Sequence, residues 1–427
     1  MIAARKNALL TVVLAFVAMI ALLAGCSSGS LSAETTVTST AGGTESGSST
    51  ESASSGSSSS SSAAPSTTKV VPPVASIAAT PALGAVDLSP VEPISFTVDK
   101  GTIDDVTLTN PEGKVVVATI APDRKSWSVG EVLGFGKTYT LAGTATGTDG
   151  KQIPITGTYT TVSTDTQTRN TVNPADGAVV GVAAPISVSF GVEPEDRALI
   201  EKNVSITTTP AVEGAWAWVK HDDGRWAMDY RTKDYWPAGT VVHVDAKLYG
   251  LRFNATSYGA SDITSDFTIG RNQVVIADVN SHDLIVQQNG QTVASYPASF
   301  GRGSENGDPE LVTRSGVHVV TEKAEEYLMN NPRYGYTNSL QRWTVRISNN
   351  GEFIHANPDS AGAQGNSNVT HGCVNLSTAD AQAYYNSAIW GDPVEVSGTN
   401  VNLSSMDGDI YIWGMTWDEW KAMSTTP

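Results

Sequence analysis

From about Val70 to Gly270 apolar and polar residues alternate in short runs. Period two is the signature of strands with one buried face. Ile94-Ser95-Phe96-Thr97-Val98 alternates, as do Val106-Thr107-Leu108-Thr109 and Tyr139-Thr140-Leu141-Ala142. Asn110-Pro111-Glu112-Gly113 and Thr148-Asp149-Gly150 supply turns between such runs. The pattern then recurs. Pro93-Ile94-Ser95 returns as Pro185-Ile186-Ser187, Val106–Thr109 as Val204–Thr207, and Lys125-Ser126-Trp127 as Gly224-Arg225-Trp226. A strand-rich period of about 90–100 residues predicts two tandem immunoglobulin-like β-sandwiches, over 70–164 and 165–270. Within them Trp216, Trp218, Trp226 and Trp236 fit core packing better than a carbohydrate-binding stripe. His221 and His243 lack ligand spacing and are expected to be structural or superficial.

A third β-rich domain is expected over 271–398. Val274-Val275-Ile276-Ala277 and Leu284-Ile285-Val286 read as strands, and Asn289-Gly290 as a type I′ hairpin. Strands are also expected at Thr344–Ile347 and Glu352–Ile354. Gly316 to Arg342 is expected to form a flap carrying Tyr327, Met329, Tyr334 and Tyr336. Ser377, with Asp380 three residues on, should cap a helix. Residues 399–427 form a tryptophan-rich C-terminal extension.

The N-terminus reads differently. Arg5 and Lys6 precede a charge-free apolar run from Ala8 to Ala24, an export signal or a retained membrane anchor. Leu23-Ala24-Gly25-Cys26 resembles the bacterial lipobox. That resemblance implies a leader over 1–25, removal of it, and a lipid on Cys26 that holds the chain on the membrane. Residues 26–69 are almost wholly Ser, Thr, Gly and Ala, a composition that cannot offset its chain entropy by burial. They are expected to act as a flexible tether with an r.m.s. reach of roughly 35 Å.

Charge and cysteine count narrow the classes. With 26 Lys+Arg against 43 Asp+Glu the net charge is −17, which argues against a nucleic-acid binder. Two cysteines exclude a disulfide-rich scaffold and a four-cysteine metal site. Apart from Cys26 the remaining cysteine is Cys373, within Val369-Thr370-His371-Gly372-Cys373-Val374-Asn375. It stands between a glycine and an expected helix start, with His355 and His371 nearby, so a lowered thiol pKa is expected. A strand-held imidazole beside a loop-borne thiol suits nucleophilic catalysis. A buried inert thiol, or zinc held by His355, His371 and Cys373 with His318, are the rival readings.

His355, followed fifteen positions later by Thr370-His371-Gly372-Cys373-Val374-Asn375, resembles the signature of the L,D-transpeptidase catalytic domain. The lipobox, tether, paired immunoglobulin-like modules and Trp413–Trp420 extension are similar to the lipoprotein members of that family in actinobacteria. The resemblance implies a mainly β protein and a cysteine acyltransferase acting on peptidoglycan stem peptides. The donor is a tetrapeptide, attacked at its third residue with release of D-alanine. The acceptor is a diaminopimelate amine on a neighbouring stem, and the product is a 3→3 cross-link. Cys373 would be the nucleophile and His355 its proton partner. Gly372 and Cys373 would hold the oxyanion through their N–H groups, and His371 would position the thiol. Asn375, Thr370, Met329, Tyr334 and Tyr336 would contact or frame the substrate. A flap residue that reaches the oxyanion in relatives aligns with Thr337, next to Tyr336. Ala356 stands where several relatives have serine, and Asp359 where relatives have tryptophan, a change expected to alter acceptor contacts. No metal or cofactor is implied. Carbapenem β-lactams would acylate Cys373. An L,D-carboxypeptidase and a non-catalytic wall-binding lipoprotein are the alternatives.

Overall fold

The computed structural model describes residues 72–303, 308, 311–404 and 412–425. The expected leader, Cys26 and the tether lie outside the described residues. Among the described residues no helix is long and apolar enough to cross a membrane.

The repeat seen in the sequence is a repeat of topology. In the first module one sheet has the order Ser76–Thr80, Ser95–Asp99, Ser126–Val129, Ala118–Ile120. Its companion is Gly101–Thr109, Thr138–Gly147, Gln152–Thr160. The second module repeats this order with Asn170–Asn173, Ile186–Phe190, Trp226–Thr232 and Gly214–Lys220. Its other sheet runs Val204–Thr209, Val241–Ala246, Ile263–Ile269, Val179–Val180. The inward members of each alternating run make the cores, Ile94, Phe96, Leu108 and Trp127 in one, Ile186, Val188, Phe190 and Phe267 in the other. Trp218 and Trp236 are buried in the second core, and Trp216 packs against it. Trp226 is half-buried with the Arg197 guanidinium 4.2 Å above its ring. His221 and His243 bond to Asp229 and Asp266 at 3.0 and 2.8 Å.

The last domain has two sheets. One runs Gln291–Pro297, Asp283–Gln288, Gln273–Asp278, Pro393–Ser397, Gly316–Val319. The other runs Glu322–Asn331, Tyr336–Arg346, Phe353–Ala356, Val374–Leu376. Val275, Leu284, Phe300, Ile354, Val374 and Tyr384 share one buried cluster, to which Tyr384 and Ala381 bring the helix Thr378–Ser387. Asn289 and Gly290 take φ of 51° and 76°, as a type I′ turn demands. The flap is shorter than expected at its start. Gly316–Val319 is a strand of the five-stranded sheet, paired with Pro393–Ser397, and the projecting hairpin begins at Glu322.

The second module and the last domain meet backbone to backbone. Gly181 N–H donates to Trp390 O at 2.7 Å and Ala183 N–H to Gly391 O at 2.9 Å. A Cβ on Gly181 would run into the Gly391–Asp392 peptide. The C-terminal extension returns across this junction and packs on the strand Gly214–Lys220. Ile412 and Trp420 are buried with Ala217 and Val219. The Arg231 guanidinium sits among Trp413, Trp417 and Trp420 at 4.9, 5.6 and 5.4 Å, and donates to Met415 O at 2.9 Å.

Candidate active site

Val374–Leu376 runs parallel to Phe353–Ala356, with His355 opposite Asn375. Side chains alternate along strands, so Ile354, Ala356, Val374 and Leu376 enter the core. His355 and Asn375 take the other face. Cys373, two residues before Asn375, falls on that same face. Strand pairing therefore gathers imidazole, thiol and amide from distant positions in the sequence.

His355 is buried, and its Nδ1 bonds the carbonyl oxygen of Ala356 at 2.9 Å. A carbonyl only accepts, so Nδ1 carries the hydrogen and Nε2 the lone pair. The partner is backbone, so alanine at 356 serves as well as serine. Burial pushes the His355 pKa down to about 4, against a smaller upward pull from that carbonyl.

The turn before the strand is tightly bonded. Thr370 Oγ1 accepts from Gly372 N–H at 3.1 Å and donates to Cys373 O at 2.6 Å. Thr313 donates to Gly372 O at 2.8 Å and accepts from Gly301 N–H at 2.9 Å. Gly372 has φ of +122°, which a side chain would strain.

Cys373 is half-buried, and its thiol donates to Gly351 O at 3.6 Å. Desolvation pushes its pKa up to about 12, while the Phe353 amide pulls it down. The Glu352 charge adds to the rise and Arg346 opposes it. This overturns the expectation of a lowered pKa, for two reasons. The helix begins only at Thr378, capped by Ser377, and the strand Val374–Leu376 stands between it and the thiol. Both nearby imidazoles are also held towards neutrality and lend no positive charge.

His371 is differently placed. Tyr334 stacks on it with centroids 4.9 Å apart, and Arg302 donates to its Nε2 at 3.4 Å. Burial and then the Arg302 charge lower its pKa. Its Nε2 lone pair is thus spent on a guanidinium.

Two cavities open onto the sulfur. One, of about 260 Å³, is lined by Arg314, Tyr327, Arg346, Glu352 and Phe353. The other, of about 320 Å³, is lined by His355, Asp359, Thr370, Asn375, Gln341 and Ser339. Met329, Tyr336, His371 and Cys373 line both. Tyr336 faces the thiol closely enough for the sulfur's charge to raise its pKa, after burial, whereas Thr337 is exposed. Tyr334 stands outside both cavities and donates to Asp308 Oδ2 at 2.6 Å. His318 is buried elsewhere, bonded to Arg314 O at 2.8 Å. Among the described residues no group of three His, Cys, Asp or Glu is arranged to hold a metal. Arg302, Asp308 and Thr313 escaped the sequence reading. Each acts from a distant segment, and no local pattern marks them.

A family model described as L,D-transpeptidase catalytic domain matches residues 272–396, and one described as bacterial Ig domain matches 85–252. The chain is 47% identical over 356 residues to L,D-transpeptidase 5 of Mycobacterium tuberculosis, covering 83% of this chain and 78% of that protein. It is 33% identical over 361 residues to L,D-transpeptidase 2 of the same organism, covering 82% and 85%. A solved LD transpeptidase in complex with imipenem aligns at 30% identity and a TM-score of 0.43, over 53% of this chain and 97% of that one.

Proposed function

The chain belongs to the L,D-transpeptidase family, and on that premise we propose that it forms 3→3 cross-links in peptidoglycan. One observation carries the assignment of roles: the Cys373 sulfur stands where two cavities meet, on the strand face that holds the His355 imidazole. Two cavities suit a reaction with two peptide substrates, a donor and an acceptor.

In the first step His355 Nε2 takes the thiol proton as Cys373 Sγ attacks the carbonyl of the donor's third residue. The Gly372 amide is engaged by Thr370, so the Cys373 N–H is the backbone donor on which the oxyanion relies. Tyr336, at the wall shared by the cavities, brings a hydroxyl to the same oxygen. The imidazolium then protonates the departing nitrogen and D-alanine leaves, with the acyl group on sulfur. In the second step the acceptor amine attacks the thioester. His355 takes its proton and passes it to the leaving sulfur. The role of His371 is positioning: its ring is clamped between Tyr334 and Arg302, away from proton transfer. Asn375 lies beside His355 for a substrate polar group, and Met329 gives the donor an apolar contact.

The reading places the protein outside the cytoplasm, facing the wall, with a lipid on Cys26 and residues 26–69 as its tether. Replacing Cys26 with Ala is expected to move the protein from the membrane fraction to the soluble one. A carbapenem would acylate Cys373, because the thiol opens strained lactam rings as it opens the donor amide.

The test is incubation of the purified protein with a disaccharide-tetrapeptide, read by mass spectrometry. A cross-linked dimer with loss of D-alanine is expected, and none from Cys373→Ala at unchanged circular dichroism. Tripeptide without dimer would make the protein a carboxypeptidase, and a dimer formed by Cys373→Ala would remove the nucleophile.

A further inference from the structure

One fully buried titratable residue has no part in the chemistry above. His318 lies on the strand Gly316–Val319, in the sheet behind the site. Its Nε2 bonds Arg314 O at 2.8 Å, and its Nδ1 bonds Ile347 O at 3.3 Å. Glu352 Oε2 stands 3.5 Å from the same Nδ1. All three neighbours are acceptors, and among the described residues no donor meets the ring. A carbonyl offers only lone pairs, so a neutral imidazole would set one of its own against an oxygen. Hydrogens on both nitrogens satisfy every contact, and the carboxylate balances the resulting charge.

Glu352 links this ring to the sulfur. It is buried, accepts the Arg314 N–H at 3.0 Å and faces the Arg314 guanidinium at 3.5 Å. Its backbone closes the turn that follows Ile347. Ile347 N–H donates to Glu352 O at 3.0 Å, and Glu352 N–H donates to Ser348 Oγ at 3.3 Å. The residue before it, Gly351, supplies the carbonyl that receives the Cys373 thiol. Arg346 lines the same cavity, bonded to Glu322 at 3.0 Å and to the Tyr327 hydroxyl at 2.7 Å. The Glu352 charge opposes a thiolate at Cys373, and Arg346 favours one. A cation on the far side of Glu352 offsets that opposition.

We propose that His318, buried as an imidazolium, is a positioning residue for Cys373: it offsets the Glu352 carboxylate and, through it, holds the turn on which the thiol rests. The inference rests on the transpeptidase reading only in taking Cys373 as the nucleophile. His318 touches neither substrate nor sulfur. Its hydrogens pin Arg314 O and Ile347 O, the two ends between which Glu352 is seated. Its charge keeps Glu352 from holding negative charge off the sulfur as the thiol proton leaves.

The test compares two variants with opposite expected signs. Full-length wild type, His318→Gln and Glu352→Gln are alkylated with iodoacetamide at pH 8, where the rate at Cys373 follows its thiolate fraction. His318→Gln is expected to react about threefold more slowly and Glu352→Gln about fivefold faster, the effect of one unit charge several ångströms away in solvated surroundings. A merely structural role would loosen the same turn in both variants and move both rates the same way, and that result would overturn the proposal. A second measurement needs only the wild type. With the six histidines labelled with nitrogen-15, the His318 ring at pH 7.5 is expected to show two protonated nitrogens of nearly equal shift. Its signal is the one lost in His318→Gln or, should that variant not fold, the one displaced in Glu352→Gln. One protonated and one bare nitrogen would overturn the proposal. Neither measurement uses a peptide substrate. Failure to form the cross-linked dimer would therefore count against the transpeptidase reading alone, and a neutral His318 ring against this inference alone.

Discussion

At rest the thiol proton of Cys373 points to Gly351 O and the Nδ1 proton of His355 to Ala356 O, so the pair begins uncharged. A thiol pushed up to about 12 has little thiolate at neutral pH, and its reactivity depends on handing the proton to His355 as the electrophile arrives. The rate of iodoacetamide alkylation at Cys373 is therefore expected to climb steadily from pH 7 to beyond pH 9. A plateau near pH 7 would mean a preformed thiolate. His355 contributes to stability in the opposite pH range. Its pKa is about 4 folded against 6.5 unfolded, so the contribution is complete above about pH 6.5 and is lost as pH falls through about 4, by up to about 3 kcal/mol. Thermal melts from pH 7 to 4.5 should fall less steeply in His355→Gln than in wild type. The identity of these residues was legible, because thiol, imidazole and glycine sit in a compact motif. Their charge states were not. They depend on desolvation by segments far away in the chain, and on a strand where the spacing suggested a helix N-terminus.

Elements set how the site is covered. The hairpin Glu322–Asn331 and Tyr336–Arg346 carries Met329 and Tyr336 to the sulfur, and its tip is fastened through Tyr334 to His371 and Asp308. Removing that fastening should admit water to the thioester. Tyr334→Ala is expected to raise tripeptide relative to dimer by several-fold in the disaccharide-tetrapeptide assay; an unchanged ratio would detach the tip from water exclusion. The hairpin was legible only in part. Its aromatic residues announced a flap, but Gly316–Val319 joins the sheet by pairing with Pro393–Ser397, a partner some 75 residues on. Period-two patterning gives a strand and leaves its partner open. The short helix Arg197–Lys202, capped by Asp196, likewise interrupts a run of strands without a pattern long enough to notice.

Over the whole molecule the repeat was the most readable feature, since the same apolar positions recur in two modules and each set closes its own core. The return of the C-terminus was not readable, because no tryptophan says which surface it will meet. Trp420 is fully buried and donates to Ala215 O at 2.9 Å, so Trp420→Ala should cost about 3–5 kcal/mol, measured as the shift in denaturant midpoint. A loss under about 1 kcal/mol would show that the extension merely rests on the module. The glycine contact at the junction reaches further. Because a Cβ on Gly181 would meet the Gly391–Asp392 peptide, the joint between the second module and the last domain tolerates no side chain at that one position. Around it Trp390 packs on the inner module's core and the Tyr235 hydroxyl donates to Glu395 at 2.9 Å, so the inner module is part of the platform on which the catalytic half stands.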